Sequence, residues 1–166
     1  MSPIVFVCFG SFLAKAGNLQ VGYKFALLAK KLVDKLKTTE IAGEVILAVT
    51  ELQCFVEPIL ATNELRAQGE HASILAGDVH FSCTSRLHYC LILLWAGLDL
   101  NGVSESIAKA CQYMKDQGED NTFIVTTITH RTVLSLLGKE SEAPTEKILS
   151  NIIHRNGNRP RQQIIL

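Results

Sequence analysis

Hydrophobic and polar residues alternate along this chain with the period of an α-helix almost throughout. The clearest case is GNLQVGYKFALLAKKLVDKL, residues 17–36, where apolar side chains recur every three or four positions. Three lysines, Lys24, Lys31 and Lys35, lie mostly opposite them. The predicted apolar face comprises Val21, Phe25, Leu28, Leu32 and Leu36. We therefore predict a packing helix whose apolar face needs a partner.

Seven segments share this period, and short turns separate them. Glycine or proline lies between the periodic stretches at Gly17, Pro58, Gly77, Gly97 and Gly118. The predicted helices are Ile4–Lys15, Leu19–Lys37, Ile41–Phe55, Ile59–Leu75, Val79–Trp95, Gly102–Gln117 and Thr122–Leu137. Two of them, IAGEVILAVTEL and NTFIVTTITHRTVL, are rich in β-branched residues that also favour strands. The sequence nevertheless predicts an all-α fold with no room for a sheet.

The breaks recur about every 40 residues, which is typical of a helical repeat. Junctions inside a helix pair fall near Gly17, Pro58 and Gly97, and junctions after a pair fall near Lys37, Gly77 and Gly118. Each unit is then a helical hairpin that must stack on its neighbours to bury its second apolar face. Tyr23 and Phe25 are predicted to be large because their helix must reach both its own partner and the next hairpin. The predicted fold is a right-handed α-solenoid of about three hairpins plus one further helix.

Residues at the junctions are suited to ending and starting helices. Gly17 and Gly97 can adopt the positive φ found just after a helix. Asn18 and Asp78 can accept hydrogen bonds from the free amides at helix starts, and Pro58 fits a first turn. The same capping role is predicted for Asp120 or Asn121.

Composition limits the possible partners and the compartment. The chain has 166 residues, 48% of them hydrophobic, and its 16 basic and 16 acidic residues balance. No nucleic acid or anionic membrane is therefore expected as a partner. The five scattered cysteines indicate reduced thiols and a cytoplasmic location. The most apolar run, Cys90–Leu98, is much shorter than the roughly 20 residues that cross a bilayer.

Several stretches of the sequence are similar to one known family. They are FGSFLAKAGNLQVGYKFALLAKKLVDKL, ELRAQGEHASILAGDVHFSCTSRLHYCLILLWAG, SIAKACQYMKDQG and TVLSLLG. The positions that carry the likeness are Gly17, Gly22, Tyr23, Leu27, Ala29, Pro58, Gly77, Asp78, His88, Tyr89, Cys90, Gly97, Tyr113 and Leu136 to Gly138. Residues 6–138 thereby resemble the TPR-like helical region of very large signalling multi-kinases. In those proteins a kinase-like domain and an AAA ATPase precede the region, and a GAF sensor with a histidine kinase follows it.

The resemblance implies a TPR-like α-solenoid and a non-catalytic role in signal transduction. The region would link the ATPase to the sensor and histidine-kinase parts, with neighbouring domains or other proteins as its partners. A nucleotide-dependent change at one end would shift the helix packing along the stack. A free-standing helical adaptor that binds a peptide is the alternative within the same fold.

The sequence also departs from this family. Phe55, Val56 and Glu57 stand where an aromatic or basic-aromatic pair is usual, and the likeness stops after Gly138. Phosphate-loop and kinase motifs are absent from the sequence. We therefore expect residues 1–138 to be a repeat domain cut from a longer solenoid, and residues 139–166 to be a poorly ordered or non-native tail. The first helix is apolar nearly all round, which predicts self-association.

One group of side chains could hold a metal. His80, Cys83, His88 and Cys90 lie at helical spacings in the fifth predicted helix, and sulfur with imidazole suits zinc or copper. The same stripe carries Leu87, Leu91 and Leu94. Packing in the core is therefore the favoured interpretation. The alternative is a thiol- or metal-dependent enzyme that uses Cys83, Cys90 and His88.

Two further hypotheses are weaker. A hydrolase would combine Cys90 or Cys111 with His88 or His130 and with Asp99, but no flanking turn presents a nucleophile. The basic tail HRNGNRPR, residues 154–161, could bind nucleic acid, although such a segment is usually solvated. We therefore predict a protein that is not an enzyme and assign no catalytic, cofactor-binding or metal-binding residue.

Overall fold

A computed structural model describes residues 2–139, which form seven α-helices, one short 3₁₀ turn and no strand. The helices are α1 Pro3–Lys15, α2 Leu19–Leu36, α3 Ala42–Gln53, α4 Asn63–Leu75, α5 Val79–Trp95, α6 Leu100–Gln117 and α7 Asp120–Leu136. The 3₁₀ turn, Ile59–Thr62, leads into α4. The all-α prediction is confirmed, including the two β-branched segments, which form α3 and α7. The predictions for the tail concern residues that lie, except for Lys139, outside the described range.

Side-chain caps explain the starts of α5 and α6. Asp78 accepts a hydrogen bond from Phe81 N at 3.0 Å, as predicted, and Asp99 accepts one from Gly102 N at 2.9 Å. Asn18 makes no such side-chain bond, so that prediction is wrong. The predicted caps at Asp120 or Asn121 are also wrong, because both residues already lie inside α7. Because Asp99 caps the first turn, α6 begins at Leu100, two residues before the predicted start at Gly102.

Most helix ends are closed by a glycine in the left-handed conformation. Gly17 and Gly97 have φ values of 91° and 70°, which confirms the prediction. The residue after each donates back to the helix, from Asn18 N to Leu13 O at 2.8 Å and from Leu98 N to Leu93 O at 3.2 Å. A backbone hydrogen bond of this kind, from an amide to the carbonyl five residues earlier, is characteristic of a Schellman motif. α2 differs, because Lys37 takes the left-handed position with φ 53°.

Replacing Lys37 with glycine is expected to raise the free energy of unfolding by about 0.5–1 kcal/mol, because a side chain is strained at this φ. Urea denaturation measures the change. The matched control is Lys35→Gly, at an exposed helical position two residues earlier, which should lower stability by about 0.5–1 kcal/mol. A loss of stability in both variants would show that Lys37 is not strained.

The helices pack in a regular order. Each helix contacts the next along the chain, from α1 with α2 to α6 with α7. The odd-numbered helices also contact one another in sequence, α1 with α3, α3 with α5 and α5 with α7. Among the described residues, α2, α4 and α6 make no contact with each other. The odd helices therefore form one continuous row, and the even helices lie apart from each other.

The predicted apolar face of α2 is wrong. Its buried residues are Gly22, Tyr23, Ala26, Ala29 and Val33. Three residues of the predicted face, Val21, Leu28 and Leu36, are instead 46%, 41% and 54% exposed. The true face is rotated by about one residue, roughly 100° on a helix. Small residues occupy it because they let α1 come close, and a pattern weighted by hydrophobic size overlooks them.

The interpretation of the two aromatic residues is confirmed. Tyr23 Oη donates to Glu57 Oε1 at 2.7 Å, in the loop that follows α3. The Phe25 ring instead packs on α1, with its centroid 5.0 Å from Phe9 and 6.3 Å from Phe6. One aromatic side chain therefore reaches beyond the first hairpin, and the other holds that hairpin together.

Two apolar cores form, one at each end of the described chain. The first is built from α1, α2 and α3 and the second from α5, α6 and α7. α4 lies between them and buries Arg66, Gly69 and Ser73, none of which is a large apolar residue. The segment between the two cores therefore buries polar side chains, Thr62, Arg66 and Ser73, in place of large apolar ones.

Candidate functional site

The most unusual buried group of the described chain is the guanidinium of Arg66. The residue is only 3% exposed. Its Nη2 lies 3.9 Å from Cys54 Sγ, and its Nε and Nη1 atoms have no hydrogen-bond partner among residues 2–139. Buried charged side chains in proteins are normally paired. Burial also lowers the pKa of Arg66, although the guanidinium stays protonated at physiological pH.

Arg66 lines a cavity of about 280 Å³ where α3, α4 and α5 meet. The cavity is lined by Glu51, Cys54, Phe55, Arg66, His88, Ile92 and Trp95. Phe55 and Trp95 are 74% and 65% exposed, so aromatic rings border its solvent side. A second cavity of about 480 Å³ lies between α1 and α3 and shares Glu51 and Phe55 with the first. The two cavities therefore adjoin along the row of odd helices.

His88 supplies a neutral imidazole to the cavity wall. Burial, and then the nearby positive charge of Arg66, lower its pKa from 6.5 to about 4. The Glu51 carboxylate, with Oε1 3.5 Å from Nδ1 of His88, would favour the protonated ring. That carboxylate is half exposed and its attraction is weakened by water, so the lowered pKa prevails. The cavity therefore holds one buried positive charge, on Arg66.

The lowered pKa of His88 predicts acid sensitivity. The unfolded chain binds a proton near pH 6.5 and the folded chain only near pH 4, so stability should fall as the pH drops through this interval. We expect a loss of about 1–3 kcal/mol from this residue, measured by urea denaturation between pH 7 and pH 4. His88→Gln should reduce that loss, whereas the exposed His71→Gln should not. An equal pH dependence in all three proteins would contradict the assignment.

A second arginine nearby has the partners that Arg66 lacks. Arg86 Nε donates to Glu70 Oε1 at 2.6 Å, and its guanidinium carbon lies 3.7 Å from the centroid of the Tyr113 ring. A charge-assisted hydrogen bond and a cation–π contact account for its place in the fold. Arg86 is therefore a structural residue and a useful reference for Arg66.

The structure separates the four side chains of the possible metal cluster. Cys83 and Cys90 are 0% and 1% exposed and belong to the second core, as the packing interpretation predicted. His80 Nδ1 lies 3.5 Å from Glu119 Oε1, whereas His88 faces Glu51. Between residues 2 and 139, no three His, Cys, Asp or Glu side chains are grouped closely enough to hold a metal ion.

Burial raises the pKa of Cys90 to about 12 and also raises the pKa of Cys83. Both should be unreactive thiols, because the thiolate is the nucleophile. In the native protein at pH 8, we expect a disulfide reagent to label the exposed Cys8 and to leave Cys83 and Cys90 unmodified until urea is added. Peptide mapping by mass spectrometry identifies the labelled residues. Rapid native labelling of Cys83 or Cys90 would revive the thiol-enzyme hypothesis.

The residues of the hydrolase hypothesis have separate structural contacts. Cys111 Sγ lies 3.9 Å from Thr127 Oγ1, and Asp99 caps α6. His130 Nε2 lies 3.0 Å from Ser104 Oγ, a pair that the sequence did not suggest. Ser104 and His130 lie inside α6 and α7, where no turn presents a serine to a substrate. The pair therefore joins two helices rather than forming a recognisable nucleophilic site.

No family model, no curated protein and no solved structure is significantly similar to this chain. The resemblance to the helical region of signalling multi-kinases therefore stays a prediction. A search of residues 2–139 for a helix long and apolar enough to cross a membrane finds none.

Proposed function

We propose that this chain is a non-catalytic helical scaffold that binds other proteins or neighbouring domains, with its hairpins stacked as a TPR-like solenoid. The continuous row of odd helices carries this proposal, because a solenoid presents one row of helices as an extended binding surface. The signalling role, between an ATPase and a histidine-kinase output, follows from the family resemblance. The cytoplasmic location follows from the five scattered cysteines.

Exposed aromatic residues support a binding role for this row. Phe12, Phe55 and Trp95 are 65%, 74% and 65% exposed, near or just beyond the carboxyl ends of α1, α3 and α5. Aromatic side chains are enriched among the residues that dominate binding energy at protein interfaces. The cavities of 480 Å³ and 280 Å³ between these helices offer recesses for a partner's side chains. The aromatic surface, Phe12, Phe55 and Trp95, is therefore the proposed partner-binding site.

The end helices suggest how such a scaffold would join other units. α1 exposes Val5 and Phe9, which are 58% and 46% exposed, and α7 exposes Val125 and Ile128, which are 49% and 47% exposed. In a solenoid, faces of this kind receive further helices or capping segments. Self-association through them is the expected behaviour of the isolated chain, and light scattering during size-exclusion chromatography measures it.

The experiment that tests partner binding uses two matched triple variants. The first replaces Phe12, Phe55 and Trp95 with serine. The control replaces Leu28, Leu36 and Leu75 with serine, residues of α2 and α4 that are 41%, 54% and 73% exposed. Each tagged protein is incubated with lysate of the source cells, and bound proteins are quantified by mass spectrometry. Partners that are lost from the first variant and retained by the control support the proposal. Equal recovery by both variants would refute this surface as the binding site.

A peptide-binding adaptor is the second candidate, and the adjoining cavities favour it. In that case, a short extended segment of the partner would lie across α1, α3 and α5. Limited proteolysis of the captured partner distinguishes the two cases, because a peptide ligand stays bound as a fragment and a folded domain does not.

A further inference from the structure

We infer that the cavity between α3, α4 and α5 is a binding site for a small organic monocarboxylate, whose carboxylate pairs with the guanidinium of Arg66 and whose apolar body lies against Trp95. Phe55 and Trp95 also belong to the proposed partner-binding surface, so this ligand would compete with a partner's side chains for the cavity. Binding measured on the purified protein tests the ligand site by itself.

The unpaired guanidinium indicates that the ligand is an anion. Only 3% of the surface of Arg66 is exposed. Within residues 2–139, no carboxylate lies within ion-pair distance of its guanidinium. Taking such a group out of water without a partner is strongly unfavourable. Arg86 avoids the problem by pairing with Glu70. An incoming carboxylate would supply the hydrogen bonds that Nε or Nη1 lacks.

The other charges of the cavity select a single negative charge. Glu51 adds one carboxylate to the wall, and His88 is neutral at pH 7. A phosphate dianion would meet one positive group and one negative group, without the several donors that phosphate sites use. Glu51 attracts Arg66 only from beyond ion-pair distance, so the donors of the guanidinium stay open to one carboxylate, while Glu51 faces His88.

The remaining wall favours an apolar ligand body. Phe55, Ile92 and Trp95 provide aromatic and aliphatic surface beside the charged groups. The cavity volume of 280 Å³ lies just below the roughly 300–1,000 Å³ common for ligand sites, so the ligand is small. An aryl-substituted short-chain acid has the required combination of charge, size and shape.

Trp95 makes the site directly observable. It is the only tryptophan of the chain and lines this cavity. Titration of the full 166-residue protein with phenylacetate, excited at the red edge of tryptophan absorption, should give a saturable change in fluorescence. We expect a Kd of about 1 mM or tighter. Phenylacetamide, which has the same shape and no charge, should bind at least about tenfold more weakly.

Two variants identify the groups responsible. Arg66→Met should weaken phenylacetate binding at least about tenfold while binding of phenylacetamide stays unchanged. Glu51→Gln should tighten phenylacetate binding, because it removes a repelling charge. Thermal melting establishes that each variant is folded. If Arg66→Met does not fold, two measurements still test the inference. They are the affinity of the wild-type protein for phenylacetate relative to phenylacetamide, and the affinity of Glu51→Gln for phenylacetate.

Three results would overturn the inference. An unsaturable response of the wild-type protein would show that the cavity binds no such anion. Equal affinity for the acid and the amide would show an apolar pocket in which Arg66 has no role. Binding by Glu51→Gln alone would show that Glu51 itself is the permanent partner of Arg66.

Discussion

Replacing Gly22 with alanine is expected to lower the free energy of unfolding by about 3 kcal/mol. A Cβ atom at Gly10 would lie 2.6 Å from the carbonyl oxygen of Gly22, and one at Gly22 would be closer still to the carbonyl oxygen of Gly10. Backbone atoms of a helix cannot move aside as a flexible side chain can, so α1 and α2 would have to separate. Such overpacking typically costs about 1–3 kcal/mol and occasionally more. Urea denaturation followed by circular dichroism measures the change.

The matched control is Gly102→Ala in α6. A Cβ there meets only Asp99 Oδ2, at 3.8 Å, and Gly102 is exposed. The substitution should raise stability by about 0.5–1 kcal/mol, because alanine favours the helix. If both variants were stabilised, α1 and α2 would not cross at Gly10 and Gly22, and the packing of the first hairpin would have to be revised.

Replacing Arg66 with methionine is expected to raise the free energy of unfolding by about 1–3 kcal/mol in the absence of ligand. Methionine fills a similar volume without carrying an unpaired charge into the interior, and replacing buried charges with apolar residues is often neutral or stabilising. Loss of the Arg66 charge should also raise the pKa of His88, since that charge contributes to its lowering. Thermal melting and urea denaturation at pH 7 measure the stability.

Arg86→Met is the control for the predicted gain in stability, because the same substitution there should lower the free energy of unfolding. Arg86 is 33% exposed, and its removal leaves Glu70 without its 2.6 Å partner and Tyr113 without its cation–π contact. We expect this variant to lose about 1–3 kcal/mol. A comparable loss in Arg66→Met would mean that Arg66 is a structural residue with a stabilising partner, and the inferred ligand site would lose its basis.

The helices of this protein could be predicted from sequence because each is long and bounded by turn residues. α5 runs from Val79 to Trp95, as predicted, and α1 starts one residue earlier than expected. The orientation of α2 could not be predicted in the same way. Its buried face depends on small residues, Gly22, Ala26 and Ala29, which contribute little to a hydrophobic pattern. Gly22 and Ala26 lie at the close contact with Gly10 of α1.

The candidate site could not be predicted from sequence, for a related reason. Arg66 belongs to a helix whose sequence, NELRAQGEHASIL, looks like a polar surface helix. Only the packing of α4 between α3 and α5 buries its guanidinium, and Trp95 comes close through contacts far apart in sequence. The sequence suggests His88 as a possible metal ligand, whereas its neighbours at the cavity are Glu51 and Arg66. The signal in the sequence is the spacing of Arg66, Gly69 and Ser73, which places a charged residue on the same face of α4 as two small residues.

The most direct test of the scaffold proposal places a photo-crosslinkable phenylalanine analogue at position 55 or at position 75 of the full chain in its source cells. Phe55 and Leu75 are 74% and 73% exposed, so accessibility is matched between the odd-helix row and the end of α4. The proposal predicts a defined protein adduct at position 55 that is absent at position 75. The same adducts at both positions, or none at position 55, would contradict it.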